Sequence, residues 1–251
     1  MAKTGIAEHR YRCTLPGLIL PDARLRNLPA SIGDLHLVHL DGLTMSADMV
    51  GLAYHRLERL LAELSTTTER QAELRLFPQV FSDAWQVVDA AARFDRLIHR
   101  LDEPFAVTLG NDFSATLETA RRLRNRLQHL DDDLGDITKE HAPVFGTLSW
   151  THVDPHASPP VCQLQVASAA STRRGGLPIP DLSQIEYHTT IDCIELAGRR
   201  HRVSLTTLVT QIALAVVALE GRVAAVCGSD PRAPANVRAI LDFDTGPTHD
   251  P

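Results

Sequence analysis

Apolar residues recurring three or four positions apart, through three long stretches, constrain this chain more than any other feature. In "SADMVGLAYHRLERLLAEL", Val50, Leu57, Leu60, Leu61 and Leu64 fall on one stripe, and Ser46 stands where an N-cap belongs. Phe81, Trp85, Val88, Ala91, Phe94, Ile98 and Leu101 repeat the spacing, with Ser82 as the expected cap of a second long helix. Leu117, Ala120, Leu123, Leu127, Leu130, Leu134 and Ile137 repeat it again between about Ser114 and Ile137. An α-helix returns every third or fourth side chain to one face, so three amphipathic helices are predicted. A short additional helix is expected over 69–76, ending before Pro78. The second and third long helices are joined by the dozen residues "DEPFAVTLGNDF" and should pack antiparallel, with the helix from Ser46 completing a bundle.

After Pro143 the period changes from helical to two. "VFGTLSWTHV" and "VCQLQVAS" read as strands around the turn-rich "DPHASPP". "IEYHTTIDCIEL", the turn "AGRR" and "HRVSL" read as a β-hairpin, and "STRRGGLPIPD" (171–181) as a linker. Ser204 is placed to cap a helix over 205–220. The expected class is therefore α+β. An extension of short strands and turns (1–45) precedes a helical bundle (46–142), a β-rich segment (143–228) and a flexible tail (229–251).

A net charge of −6 argues against a generally basic nucleic-acid coat, while leaving room for a local basic site. Cys13, Cys162, Cys193 and Cys227 form no Cys-x-x-Cys pair, so no metal site is expected, and they read as reduced. "MAKTGIAEHRYRC" lacks an apolar signal core, which points to the cytoplasm. The run from Leu205 to Leu219 carries three threonines and a glutamine. It reads as a buried helix rather than a membrane span, which takes about 20 apolar residues. Phosphate-loop, dinucleotide and Gly-x-Ser-x-Gly signatures are absent, so no cofactor is expected.

The candidate chemistry lies in "RRLRNRLQHLDDD" (121–133). On a helical wheel Arg124 sits about 100° and His129 about 240° from the buried Leu123, with Arg121, Asn125 and Gln128 on the polar arc between them. Asn125 lies one turn from His129, where it could orient the ring. A histidine can act as acid or base near neutral pH, and an arginine can hold a scissile phosphate. One helix cannot bring both residues to one point, but a facing copy related by a two-fold axis could. The bare spacing carries little weight, since about one Arg-x4-His pair is expected by chance in a chain with this many arginines and histidines. "RNRLQH" adds a polar residue after the arginine, which the near-match "RFDRLIH" (93–99) lacks.

At these residues the chain resembles the HEPN superfamily, helical-bundle proteins marked by an arginine, a polar residue, a short spacer and a histidine on a late helix. The resemblance covers about residues 46–140 and its motif is six residues long. It implies a metal-independent endoribonuclease, active as a homodimer, of the kind found in toxin–antitoxin and anti-phage systems. Arg124 and His129 would then be catalytic, Asn125 would orient them, and Arg121 and Gln128 would contact RNA. An antitoxin or other protein partner would be expected too. The resemblance equally allows a member that has lost catalysis and serves as a dimerisation or partner-binding module. Asp132 falls on the face of the motif, where it would repel a phosphate unless paired with Arg121 or Arg124.

The bland reading is a solvated helix face laced with pairs of opposite charge. Among other constellations, "THVDPH" (151–156) reads as a turn, and the basic residues at 173–174 and 199–202 as solvated hairpin charges. Trp85 and Trp150 read as core anchors.

Overall fold

The computed structural model describes residues 17–29, 31–140, 143–154, 161–168, 190–198 and 201–228. In chain order it contains α1 (Asp34–Thr66), α2 (Arg70–Ile98), α3 (Asn111–Gln128) and α4 (Leu130–Glu140). There follow β1 (Thr147–Asp154), β2 (Val161–Ser168), β3 (Ile191–Gly198), β4 (His201–Ser204) and α5 (Leu205–Cys227). The class is α+β, with helices first and an antiparallel four-stranded sheet of order β2-β1-β3-β4 second.

Helix α1 is longer than its predicted counterpart. It begins at Asp34, so Ser46 is a buried interior residue and not a cap, and residues 34–45 are helical rather than strands and turns. Leu40 and Leu43 carry the buried stripe of Ala47 and Val50 a further turn and a half backward. Gly42 interrupts the pattern by eye but not in space. A Cβ there would lie 3.0 Å from a methyl of Leu97, so the glycine admits α2 at close range. Only residues 17–33 keep the expected turn-rich character, with a 3-10 turn at Arg24–Arg26.

Helix α2 also absorbs a predicted break. It runs unbroken through Pro78, and neither a separate helix over 69–76 nor a cap at Ser82 exists. The proline removes one backbone donor, but Leu76, Val80 and Phe81 are buried on either side of it and hold the helix together. Gly42 faces Leu97 near one end of the α1–α2 pair, and Arg56 meets Asp83 at 2.6 Å towards the other, so the two helices are antiparallel.

The third predicted helix is two helices. It breaks at His129, whose φ of −105° and ψ of 34° leave the helical region. The amide of Asp132 donates back to the His129 carbonyl, and α4 starts there with Asp131 and Asp132 in its first turn. Carboxylates are favourable at a helix N-terminus, which explains why "DDD" starts a new helix instead of prolonging the old one.

In the sheet β2 coincides with "VCQLQVAS", and the other predicted strands are present over their described residues, with 185–189 of "IEYHTTIDCIEL" lying outside them. β1 is central, paired on one side with β2 and on the other with β3. Trp150 on β1 is a core anchor, 2% exposed, its indole N–H donating to Ser65 on α1 at 2.9 Å. The Ser204 hydroxyl accepts from the Thr207 amide at 3.1 Å, as expected of the cap of α5. That helix continues to Cys227, past the predicted end at residue 220. At 23 residues it meets the length and composition of a membrane span. Its Leu208, Ile212, Leu219 and Val223 are nevertheless wholly buried in the core. One hydrophobic cluster runs through both halves, joining Leu57, Phe94 and Leu123 to Leu148, Ile194 and Leu219.

One carboxylate ties the backbone of the amino-terminal turn to α5, beside the Arg26–Asp48 pair that ties it to α1. Glu220 on α5 accepts the backbone amides of Arg24 and Leu25 at 3.0 and 2.8 Å. The predicted linker (171–181) and tail (229–251) lie outside the described residues.

Two glycines separate steric need from helix propensity. Gly146 enters β1 at φ +82°, and a Cβ there would fall on the Ala197 carbonyl oxygen, whereas a Cβ on Gly135 in α4 would meet nothing within 4 Å. Gly146→Ala should lower the unfolding free energy by about 1–3 kcal/mol. Gly135→Ala should raise it by about 0.5–1 kcal/mol, both read from urea denaturation.

Candidate functional site

The motif residues part company once α3 is packed. Arg124 leaves the apolar stripe at its edge, and α2 covers that edge. Its guanidinium is only 15% exposed and its Nε donates to Asp89 on α2 at 2.6 Å. One turn on along α3, Leu127 shares a groove with Trp85, one turn back along α2. α2 and α3 thus run antiparallel, as expected, with the Arg124–Asp89 pair as a cross-link between them.

His129 lies elsewhere. Its side chain is 72% exposed, and Nδ1 stands 3.7 Å from Asp132 in the first turn of α4. The Asn125 side chain is exposed, and it is the Asn125 backbone carbonyl that accepts the His129 amide, at 3.1 Å. The outward strip predicted from the wheel is therefore corrected at both ends. Arg124 is turned inward to a neighbouring helix, and His129 caps a helix instead of standing within one. Within the chain the two side chains serve different partners.

The charges around the motif are matched. Arg121 and Arg122 both bind Glu118, one turn back on α3, so Arg121 does not shield Asp132. Hydrogen bonding and charge from those arginines hold the Glu118 carboxyl below its ordinary range. Asp89 takes a second arginine, Arg93, at 2.6 Å. Burial alone would raise the pKa of Asp89, but hydrogen bonds and charge from Arg124 and Arg93 outweigh it and hold the carboxyl low. Gln128 is exposed beside His129.

The concavity next to the motif is apolar. A cleft of about 720 Å³ is lined by Phe77, Phe81, Trp85, Leu127 and Phe145, with Arg70 at its rim. Trp85 is half-buried there, and its indole N–H donates to the Phe145 carbonyl at 3.0 Å. Such walls suit hydrocarbon better than a phosphodiester.

Arg202 pairs with Glu195 at 3.1 Å, and residues 173–174, 199–200 and His156 lie outside the described residues. Among the described residues no three His, Cys, Asp or Glu side chains gather as a metal site, and Cys162 and Cys193 are free thiols. Sequence reasoning missed Asp89. Its spacing of four from Arg93 signals a helix-surface pair, but nothing local reveals that Arg124 completes it. The chain matches no protein-family model, no curated protein and no solved structure.

The depressed pKa of Asp89 has a definite pH signature. A carboxyl lowered on folding contributes fully above its unfolded value of about 3.9, and that contribution is lost as pH falls through the lower folded value. Asp89→Asn should be about 1–3 kcal/mol less stable than the parent near pH 7. The gap should narrow as pH falls below about 3.9 and close below the lower folded value, measured by denaturant titration across that range.

Proposed function

We propose that this chain is a catalytically inactive, HEPN-like dimerisation module of the cytoplasm. The observation that carries the reading is the Arg124–Asp89 ion pair. It occupies the arginine that would have to grip a scissile phosphate and sets it against a carboxylate, 15% exposed. Phosphate binding there would require Arg124 to leave an anion already within hydrogen-bonding distance, and the phosphate would meet that anion's charge. His129 faces Asp132, so neither half of the motif offers an unopposed positive charge. HEPN-like ancestry is supported by the "RNRLQH" motif on the second helix of the α2–α3 hairpin.

A second reading keeps metal-independent RNA cleavage, in a toxin or anti-phage setting with an antitoxin or similar partner. One observation favours it: the His129 imidazole is open to solvent at a helix end, beside Asn125 and Gln128, where a second subunit could reach it. Cleavage by this route would use Arg124 of one copy with His129 of another, and Arg124 would have to exchange Asp89 for the phosphate.

The two readings diverge in one assay. Structured and single-stranded RNAs incubated with the chain in EDTA should stay intact, and His129→Ala should be indistinguishable from the parent. Cleavage by the parent that disappears in both His129→Ala and Arg124→Ala would replace the first reading with the second.

A further inference from the structure

Helix α1 has two apolar faces, and among the described residues only one is fully covered. The buried face carries Leu40, Leu43, Val50, Leu57 and Leu61. On the other side Val38, Met45 and Leu52 recur every seven residues and stand 65%, 46% and 41% exposed. Leu35, 64% exposed, adjoins this row at its start, while Gly42 and Met49, at the matching three-and-four positions, form its border and are partly covered by the chain's own fold. A helix packed on one side by its own fold should be polar on the other. Here a second hydrophobic seam extends about 26 Å along the axis, in the repeat by which one helix packs along another. Contiguous exposed apolar surface of this kind marks an interaction site.

We propose that this seam is the homodimer interface, where α1 of one copy packs antiparallel against α1 of a second copy about a two-fold axis near Met45. The inference rests on the reading of the chain as a dimerising module and assigns the surface that performs it. The heptad repeat calls for a helical partner, and the distribution of charge selects a second copy. Exposed Asp34 lies at one end of the seam, and exposed His55 and Arg59 lie at the other. Asp48 and Arg56, which also border the seam, are engaged by Arg26 and Asp83 within the chain. In an antiparallel two-fold pair, Val38 of each copy faces Leu52 of the other. Asp34 of each copy then comes beside the His55–Arg59 end of its mate. A parallel pair would stack Asp34 on Asp34 and Arg59 on Arg59, which the like charges oppose.

Sedimentation equilibrium of the full chain tests the assignment. The parent should be a dimer, and Met45→Lys should weaken self-association about tenfold or more with unchanged circular dichroism. Arg59→Asp, at an exposed position that the fold does not need, should also weaken it, and adding Asp34→Arg to that variant should restore it. A parent that stays monomeric overturns the seam and the dimerisation reading together. A dimer that survives Met45→Lys and Arg59→Asp overturns the seam alone and places the interface elsewhere.

Discussion

Burial of one face of α1 is the constraint on which the rest of the structure depends. Leu43, Val50, Leu57 and Leu61 on that face are almost wholly excluded from water, each side chain contributing about 1.5–3 kcal/mol by transfer alone. The same helix contacts α2, α5, β3 and the amino-terminal turn, so it is the element through which the helical and sheet halves share one core. Specific polar links then set the orientation of each neighbour. Arg56 binds Asp83 and Gln86 on α2, Tyr54 bonds Thr206 at the start of α5, and Ser65 receives the Trp150 indole from β1. Apolar area makes association favourable, while these few directional contacts select one arrangement.

The fate of the arginines follows from that packing. Near the α2–α3 contact Arg93 and Arg124 converge on Asp89, and on the outer surface Arg121 and Arg122 converge on Glu118. A helix rich in arginine thus presents little net positive potential where the motif lies. An arginine's value for binding phosphate depends less on its presence than on what already neutralises it. Arg124 is the clearest case: its location at the edge of the apolar stripe makes it available to the neighbouring helix first.

The strands, the Ser204 cap and the helical character of three long segments were legible because each depends on local spacing. In β2 Leu164 and Val166 alternate with Gln163 and Gln165, and the turn-rich "DPHASPP" marks where the strand begins. The errors share a different physical origin. Gly42 and Pro78 resemble breaks, yet a neighbour's side chain fills the space beside one, and buried residues flanking the other keep the helix continuous. The break at His129 runs the opposite way. Periodicity there persists across a change of helix because Asp131 and Asp132 favour a fresh N-terminus. Arg124 was legible as polar and near the stripe's edge, but its partner lies 35 residues away and is settled only by tertiary packing. Spacing specifies a face; it does not specify what covers that face.

The carboxylate of Glu220 has a consequence for how the chain is made. It holds amides 195 and 196 residues earlier in the sequence, so this contact can form only once α5 has been made. Until α5 is complete, the Leu25 amide lacks that acceptor. Contacts of such sequence separation slow folding, because closing so long a loop costs chain entropy. A ribosome-bound fragment ending before residue 220 lacks the carboxylate that receives these two amides.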